Sequence, residues 1–296
     1  MSARENPGDP EAYPEEASPA ASPPQQEDGP QAYVPPRMPD VRAISYADMR
    51  AALRAGLSDY LAFPAYGLFF ASIFVAGGFG VLAFLVALDM PWMILPLGVG
   101  FPLLGPFVAA GLYEVSRRRA RGERPSWAKV LTVVLRQQQT QMGWMAFVIL
   151  FVFWVWIYQV RLLLALFLGF KSFASFADFA AIVTTTPEGL GFLLVGTAVG
   201  AFLSLVLFSA TVVAMPLLLD RDLDFVSAMI VSFKSVKENP GPMLAWGFLV
   251  AGLTILALLP AFLGLFVVLP VLGHATWHLF EKLVGSKSAP KAASNA

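Results

Sequence analysis

Residues 189–219 read GLGFLLVGTAVGAFLSLVLFSATVVAMPLLL, with no charged side chain between Glu188 and Asp220. A helix needs about 20 apolar residues to cross the hydrocarbon core of a bilayer, and a soluble fold cannot cover a bare run of this length with polar surface. The stretch 142–163, MGWMAFVILFVFWVWIYQVRLL, repeats the pattern with aromatic residues interleaved. Over the whole chain 57% of residues are hydrophobic and 14% charged, whereas a soluble domain carries about a quarter charged. The fold class that follows is an all-α membrane protein, and a soluble globular protein is excluded.

Six transmembrane helices in three hairpins are expected, near 60–88, 91–112, 142–163, 189–219, 242–260 and 261–280. The first and fourth are long enough to tilt or to extend past the hydrocarbon. The last two share an apolar stretch from Met243 to Leu272, in which Pro260 and Gly264 mark a turn because both weaken a helix interior. One long span with an interfacial segment is the alternative. With six spans, 18 of the 20 lysines and arginines fall on one side, and only Arg161 and Lys171 lie at or beyond the outer end of the third span. Retention of positive charge in the cytoplasm then sets both termini inside.

The formal net charge of zero hides a partition. Residues 1–40 hold eight acids (Glu5, Asp9, Glu11, Glu15, Glu16, Glu27, Asp28, Asp40) against Arg4 and Arg37, together with 10 of the 23 prolines. Such a segment buries too little apolar surface to offset its ordering entropy, so 1–40 reads as a disordered acidic tail. It lacks the basic start and apolar centre of a signal peptide. Residues 41–285 form the polytopic membrane domain, and 286–296 a second disordered tail. The chain has no cysteine, which removes disulfides, thiolate metal sites and cysteine nucleophiles.

A cytoplasmic amphipathic helix precedes each hairpin. The first opens on the capping-box sequence Ser45-Tyr46-Ala47-Asp48, with Tyr46, Met49, Leu53 and Leu57 on one face. The second opens at Ser126-Trp127, with Trp127, Val130, Leu131, Val134 and Leu135 apolar. The third opens near Asp224-Phe225, with Phe225, Met229, Ile230, Phe233 and Val236 apolar. An aromatic residue follows the opening polar residue in all three, and prolines recur in each second span (Pro96, Pro102 and Pro106; Pro216; Pro270). This pattern is that of a parallel three-fold repeat about an axis along the membrane normal, although composition alone produces weak similarity among apolar segments.

The chemistry on offer is sparse. His274 and His278, one helical turn apart, could present two imidazoles to one metal, with Glu281 adding a carboxylate. The Glu that follows the first histidine of a metalloprotease helix is missing, and the plainer reading sets this polar helix end among headgroups. No cofactor is called for. Gly98, Gly100, Pro102, Gly105 and Pro106 crowd the second span, where a broken helix would free backbone groups for a substrate or ion, and where close packing with a kink accounts for the same residues. Gly196, Gly200 and Ser204 form a small-residue stripe suited to helix packing. Arg117, Arg118, Arg119 and Arg121 form a basic cluster facing anionic headgroups. Nucleic acid is not an expected partner, since no soluble domain accompanies the cluster. Span centres hold almost no charge, which counts against ion-coupled transport. No catalytic residue emerges.

Three stretches carry a family resemblance: Gly105-Pro106-Phe-Val-Ala-Ala-Gly-Leu-Tyr-Glu114, Met215-Pro-Leu-Leu-Leu-Asp-Arg-Asp222 and Leu269-Pro-Val-Leu-Gly-His-Ala-Thr-Trp-His-Leu279. They resemble an uncharacterised bacterial integral-membrane family known as domain of unknown function 2189, over about residues 40–285. The resemblance implies a bacterial inner membrane and a helical fold, and brings no activity or site residues with it. The expected role is that of an accessory, assembly or scaffold protein in contact with the bilayer and with other membrane subunits. The alternative is a channel or facilitator for a small neutral or apolar substrate. A metal- or haem-dependent enzyme, resting on the two histidines, is a third.

Overall fold

The computed structural model describes residues 38–88, 105–137, 141–169 and 176–285. The described residues hold eleven α-helices and no strand: α1 Tyr46–Ala62, α2 Pro64–Leu88, α3 Gly105–Ala120, α4 Trp127–Gln137, α5 Gln141–Leu168, α6 Phe176–Thr185, α7 Pro187–Thr211, α8 Ala214–Asp220, α9 Phe225–Glu238, α10 Pro240–Leu258 and α11 Leu265–Val284. Most of the acidic tail, the first part of the second expected span and the C-terminal tail fall outside these residues.

Local chemistry sets the boundaries. Ser45 and Asp48 form the reciprocal capping box that starts α1, and the Asp224 side chain caps α9. Pro64, Pro187 and Pro240 each open a helix, where a missing N–H costs nothing. Pro216 cannot donate to the Val212 carbonyl, and the chain breaks there between α7 and α8. The freed Val213 N–H donates instead to the Ser232 hydroxyl at 3.1 Å. After α10 the chain turns through Ala261 and Phe262, both at positive φ, so the apolar stretch from Met243 onward forms two helices. Gly264 permits this turn: a Cβ there would lie 2.6 Å from the Ala257 Cα.

Among the described residues, three helical runs are long and apolar enough to cross a membrane: α5, the run Pro187–Asp220 and α10. A fourth is reached if α1 and the first part of α2, bent by 98° at their junction, are taken as one broken span. The remaining expected spans differ for two reasons. α3 begins at the edge of the described residues, and α11 carries His274, His278, Glu281 and Lys282 in its second half.

The short amphipathic helices stand where the sequence sets them, and Met49, Leu53, Val130, Phe225, Met229 and Val236 of the expected faces pack inward, while in α1 and α9 the deepest burial falls on small residues beside them. α1 buries Met49, Ala52, Gly56 and Asp59, while Tyr46 and Leu57 are exposed. α9 buries Ala228, Val231, Ser232 and Ser235, while Ile230 and Phe233 are exposed. Small residues let two helix axes approach closely, and that approach decides which side turns inward. Tyr46, Leu57, Ile230 and Phe233 are left outward, as suits a helix lying in an interface.

These helices are stitched cyclically. α4 packs on α3, α9 packs on α7 and α8, and α1 packs on α11 at the opposite end of the sequence. Each also presents its opening aromatic to the start of a long helix. Trp127 stacks on Tyr66 of α2 at 4.1 Å, Phe225 stacks on Trp144 of α5 at 6.0 Å, and Tyr46 lies over Gly241 of α10. The main core gathers where these contacts meet. It joins Met142 and Met145 of α5, Met243 and Trp246 of α10, Val213 to Leu219, and Trp277 to Leu283 of α11. α5 and α10 are otherwise barely buried along their most apolar windows, so the core sits at one end of the long helices.

Gly56 marks a close backbone-to-backbone joint between α1 and α11. A Cβ there would lie 2.5 Å from the Ala275 backbone nitrogen and 2.7 Å from the Val271 carbonyl oxygen. Backbone cannot give way as a side chain can, so Gly56→Ala is expected to lower stability by about 1–3 kcal/mol, read as a lowered thermal midpoint of the detergent-solubilised protein. An unchanged midpoint would refute the close approach of α1 to α11.

Candidate functional site

The α1–α11 joint brings together polar side chains that lie far apart in sequence. Asp59 of α1, Ser116 of α3 and His274 of α11 are buried in an otherwise apolar surround. The Ser116 hydroxyl donates to Asp59 Oδ2 at 2.6 Å and lies 2.8 Å from His274 Nδ1. A hydroxyl has one proton to give, so with Asp59 accepting it, His274 must donate from Nδ1. His278 Nε2 stands 2.8 Å from the same Asp59 oxygen, and its Nδ1 stands 3.2 Å from Glu281 Oε2. Arg119 donates to the second Asp59 oxygen at 2.5 Å and to the Ser58 hydroxyl at 3.1 Å.

The Asp59 carboxyl is held below its ordinary range. Burial works against ionisation, and the hydrogen bonds from His278 and Ser116 together with the His278 charge outweigh it. A second carboxylate at the start of α1 behaves alike. The Ser45 hydroxyl and amide and the Lys282 ammonium, 3.0 Å away, lower Asp48 to about 2. The segment before α1 is fastened as well: Arg42 N–H donates to the Leu283 carbonyl at 2.7 Å, and Ile44 N–H to Asn239 Oδ1 at 2.8 Å.

The two histidines therefore meet a serine and two carboxylates. Among the described residues, no group of three or more histidine, cysteine, aspartate or glutamate side chains is arranged to hold a metal ion. His274 does not emerge among headgroups either, since it is fully buried. Ser116 lies 2.8 Å from a histidine, but it is buried and gives its proton to a carboxylate, so the trio fastens three helices and does not build a nucleophile.

Three arginines of the basic cluster are engaged within the protein. Arg117 and Arg118 both pair with the fully buried Glu114, the latter at 2.6 Å. Arg117 also donates to the Leu219 carbonyl at 2.8 Å, and Arg118 pairs with Glu123 at 2.9 Å. Arg119 belongs to Asp59. The sequence marks the arginines, but nothing in it announces that Asp59 and Glu114 are buried. The available signal, for pairing and not for burial, is the spacing Glu114–Arg117–Arg118, which sets both bases one turn from the acid.

Gly196 and Gly200 of α7 face α5: a Cβ on Gly200 would lie 3.0 Å from Trp156, and one on Gly196 would lie 3.9 Å from Leu163. Ser204 is exposed. Of the broken-helix residues, Gly98, Gly100 and Pro102 lie outside the described residues, while Gly105 and Pro106 open α3. An apolar cavity of about 220 Å³ lies between α2, α3, α10 and α11, with Phe74, Ala109, Val250, Thr254 and Leu269 in its wall.

The carboxylates give a signed pH dependence. An aspartate lowered in the fold contributes stability that is complete above its unfolded value, about 3.9, and is lost as pH falls through the folded value. The thermal midpoint is expected to drop between pH 4 and 2, and Asp48→Asn to flatten that drop. Parallel curves for the two proteins would remove Asp48 from the α1 anchor.

No curated protein and no solved structure matches the chain. Residues 94–220, which include α3 to α8 but not the α1–α11 joint, match the family model described as predicted integral membrane protein, DUF2189.

Proposed function

We propose that this chain is a non-enzymatic accessory or scaffold protein of a bacterial inner membrane. It crosses the bilayer six times, with both termini in the cytoplasm and the three hairpins arranged as a parallel repeat. The cyclic stitching of α1, α4 and α9 supports the repeat, and the one-sided distribution of lysine and arginine supports the orientation.

One observation carries the scaffold reading. Phe147, Phe151, Trp154, Tyr158, Leu162 and Leu166 of α5 recur every three or four residues, and each is more than half exposed. Trp154 and Tyr158 also lie edge to face at 4.6 Å, which stiffens the surface. Lipid tails need no such relief, whereas an ordered aromatic ridge suits van der Waals packing against the helices of another membrane subunit. The partner is therefore another integral membrane protein. The test is purification in mild detergent from the native membrane, with mass spectrometry of what co-elutes. A stoichiometric membrane partner lost on Trp154→Ala/Tyr158→Ala is the expected result, and a lone particle overturns the reading.

The apolar cavity favours a second reading, that of a facilitator for a small neutral or apolar substrate. Filling it by Ala109→Phe would then abolish flux into proteoliposomes while the protein remains folded. Equal flux through empty liposomes would dismiss this role.

A further inference from the structure

Three arginines near the end of α3 have acidic partners. Glu114 and Glu123 answer Arg117 and Arg118, and Asp59 answers Arg119. Beside them, α3 and α4 form an open cleft of about 280 Å³ lined by Arg118, Ala128, Lys129, Thr132, Val133 and Arg136. Positions 129, 132, 133 and 136 fall on one face of α4, so the cleft runs along the helix. Lys129 and Arg136 have no acidic partner among the described residues. The Thr132 hydroxyl donates to the Ala128 carbonyl at 2.6 Å, which leaves the cleft two free cations and no carboxylate in its lining.

The surroundings narrow the choice of anion. Trp127 at the start of α4 stacks on Tyr66 and meets Phe69 edge on, so α4 lies beside the start of the apolar helix α2. Leu135 on α4 and Leu68 and Phe69 on α2 are exposed. Within the cleft itself Ala128 and Val133 lie beside the cations, so a ligand there meets both charge and apolar surface, the two halves of an amphiphile. A soluble phosphate would use only the first.

We infer that the α3–α4 cleft of this integral membrane protein binds the headgroup phosphate of an anionic phospholipid, with Lys129 and Arg136 as its ligands and Ala128 and Val133 against the start of its acyl chains. Arg118, fixed between Glu114 and Glu123, shapes the inner wall.

The test uses the full-length protein in detergent, stripped of lipid and titrated with phosphatidylglycerol or phosphatidylcholine, with bound lipid counted by native mass spectrometry. Phosphatidylglycerol is expected to bind several-fold more tightly. Lys129→Gln/Arg136→Gln should weaken it by roughly 10- to 30-fold, each cation near a membrane surface being worth about fivefold. Arg50→Gln/Arg54→Gln on the exposed side of α1 removes the same charge elsewhere and should leave binding unchanged. Equal binding of the two lipids overturns the proposal, as does an equal loss in the α1 control. Displacement of the lipid by millimolar inorganic phosphate would assign the cleft to a soluble anion and overturn the lipid assignment. Lys129→Arg/Arg136→Lys keeps both charges, and its failure to bind, with an unchanged thermal midpoint, would count against a charge-based site.

Discussion

The absence of a side chain at Gly56 lets α1 lie against the backbone of α11, and much of the arrangement follows from that approach. It carries Asp59 to within hydrogen-bonding distance of Ser116 and His278, and so couples three helices from the two ends of the sequence. It also brings Asp48 to Lys282 and the Arg42 amide to the Leu283 carbonyl. A buried carboxylate is costly on its own and stable when donors surround it. The polar cluster is thus a product of the joint and, once formed, a reason for it to persist.

The location of the core has a related physical origin. Between helices bathed in lipid there is no hydrophobic force, because acyl chains are as apolar as leucine. Water returns at the membrane surface, and there burial again stabilises contact. The short helices cluster with the core at one end of the long helices, and α1 and α9 turn small residues inward, while α5 and α10 leave broad apolar faces to their surroundings. The arginines of α3 serve the same joint, holding Glu114 and capping the Leu219 carbonyl as α8 ends.

Much of this was legible in the sequence, and unevenly so. The capping box at Ser45, the aromatic openings of the three short helices and the turn between Met243 and Leu272 depend on local chemistry, and all are present. The buried faces of α1 and α9 overlap the expected ones but are centred on smaller residues. An amphipathic pattern weighs side chains by hydrophobicity, whereas close helix contact selects for small size, so Ala52 and Gly56 outrank Tyr46 and Leu57. The histidines stood out because there are only two, yet their partners Asp59 and Ser116 come from other helices and no periodicity announces them. Lys129 and Arg136 were counted only toward orientation, because the cleft between them and α3 exists only in three dimensions.

The Asp59–His278 bond spans 219 residues of chain. A ribosome working at roughly 5–20 residues per second needs about 10–40 s to cover that distance. Throughout that interval α1 has left the tunnel while the helix that completes it has not been made. Ser116 and Arg119 of α3 reach Asp59 earlier, but the imidazole of His278 and the backbone that packs on Gly56 come only with α11. A chain truncated before α11 would therefore present α1 without its packing partner and Asp59 without its imidazole.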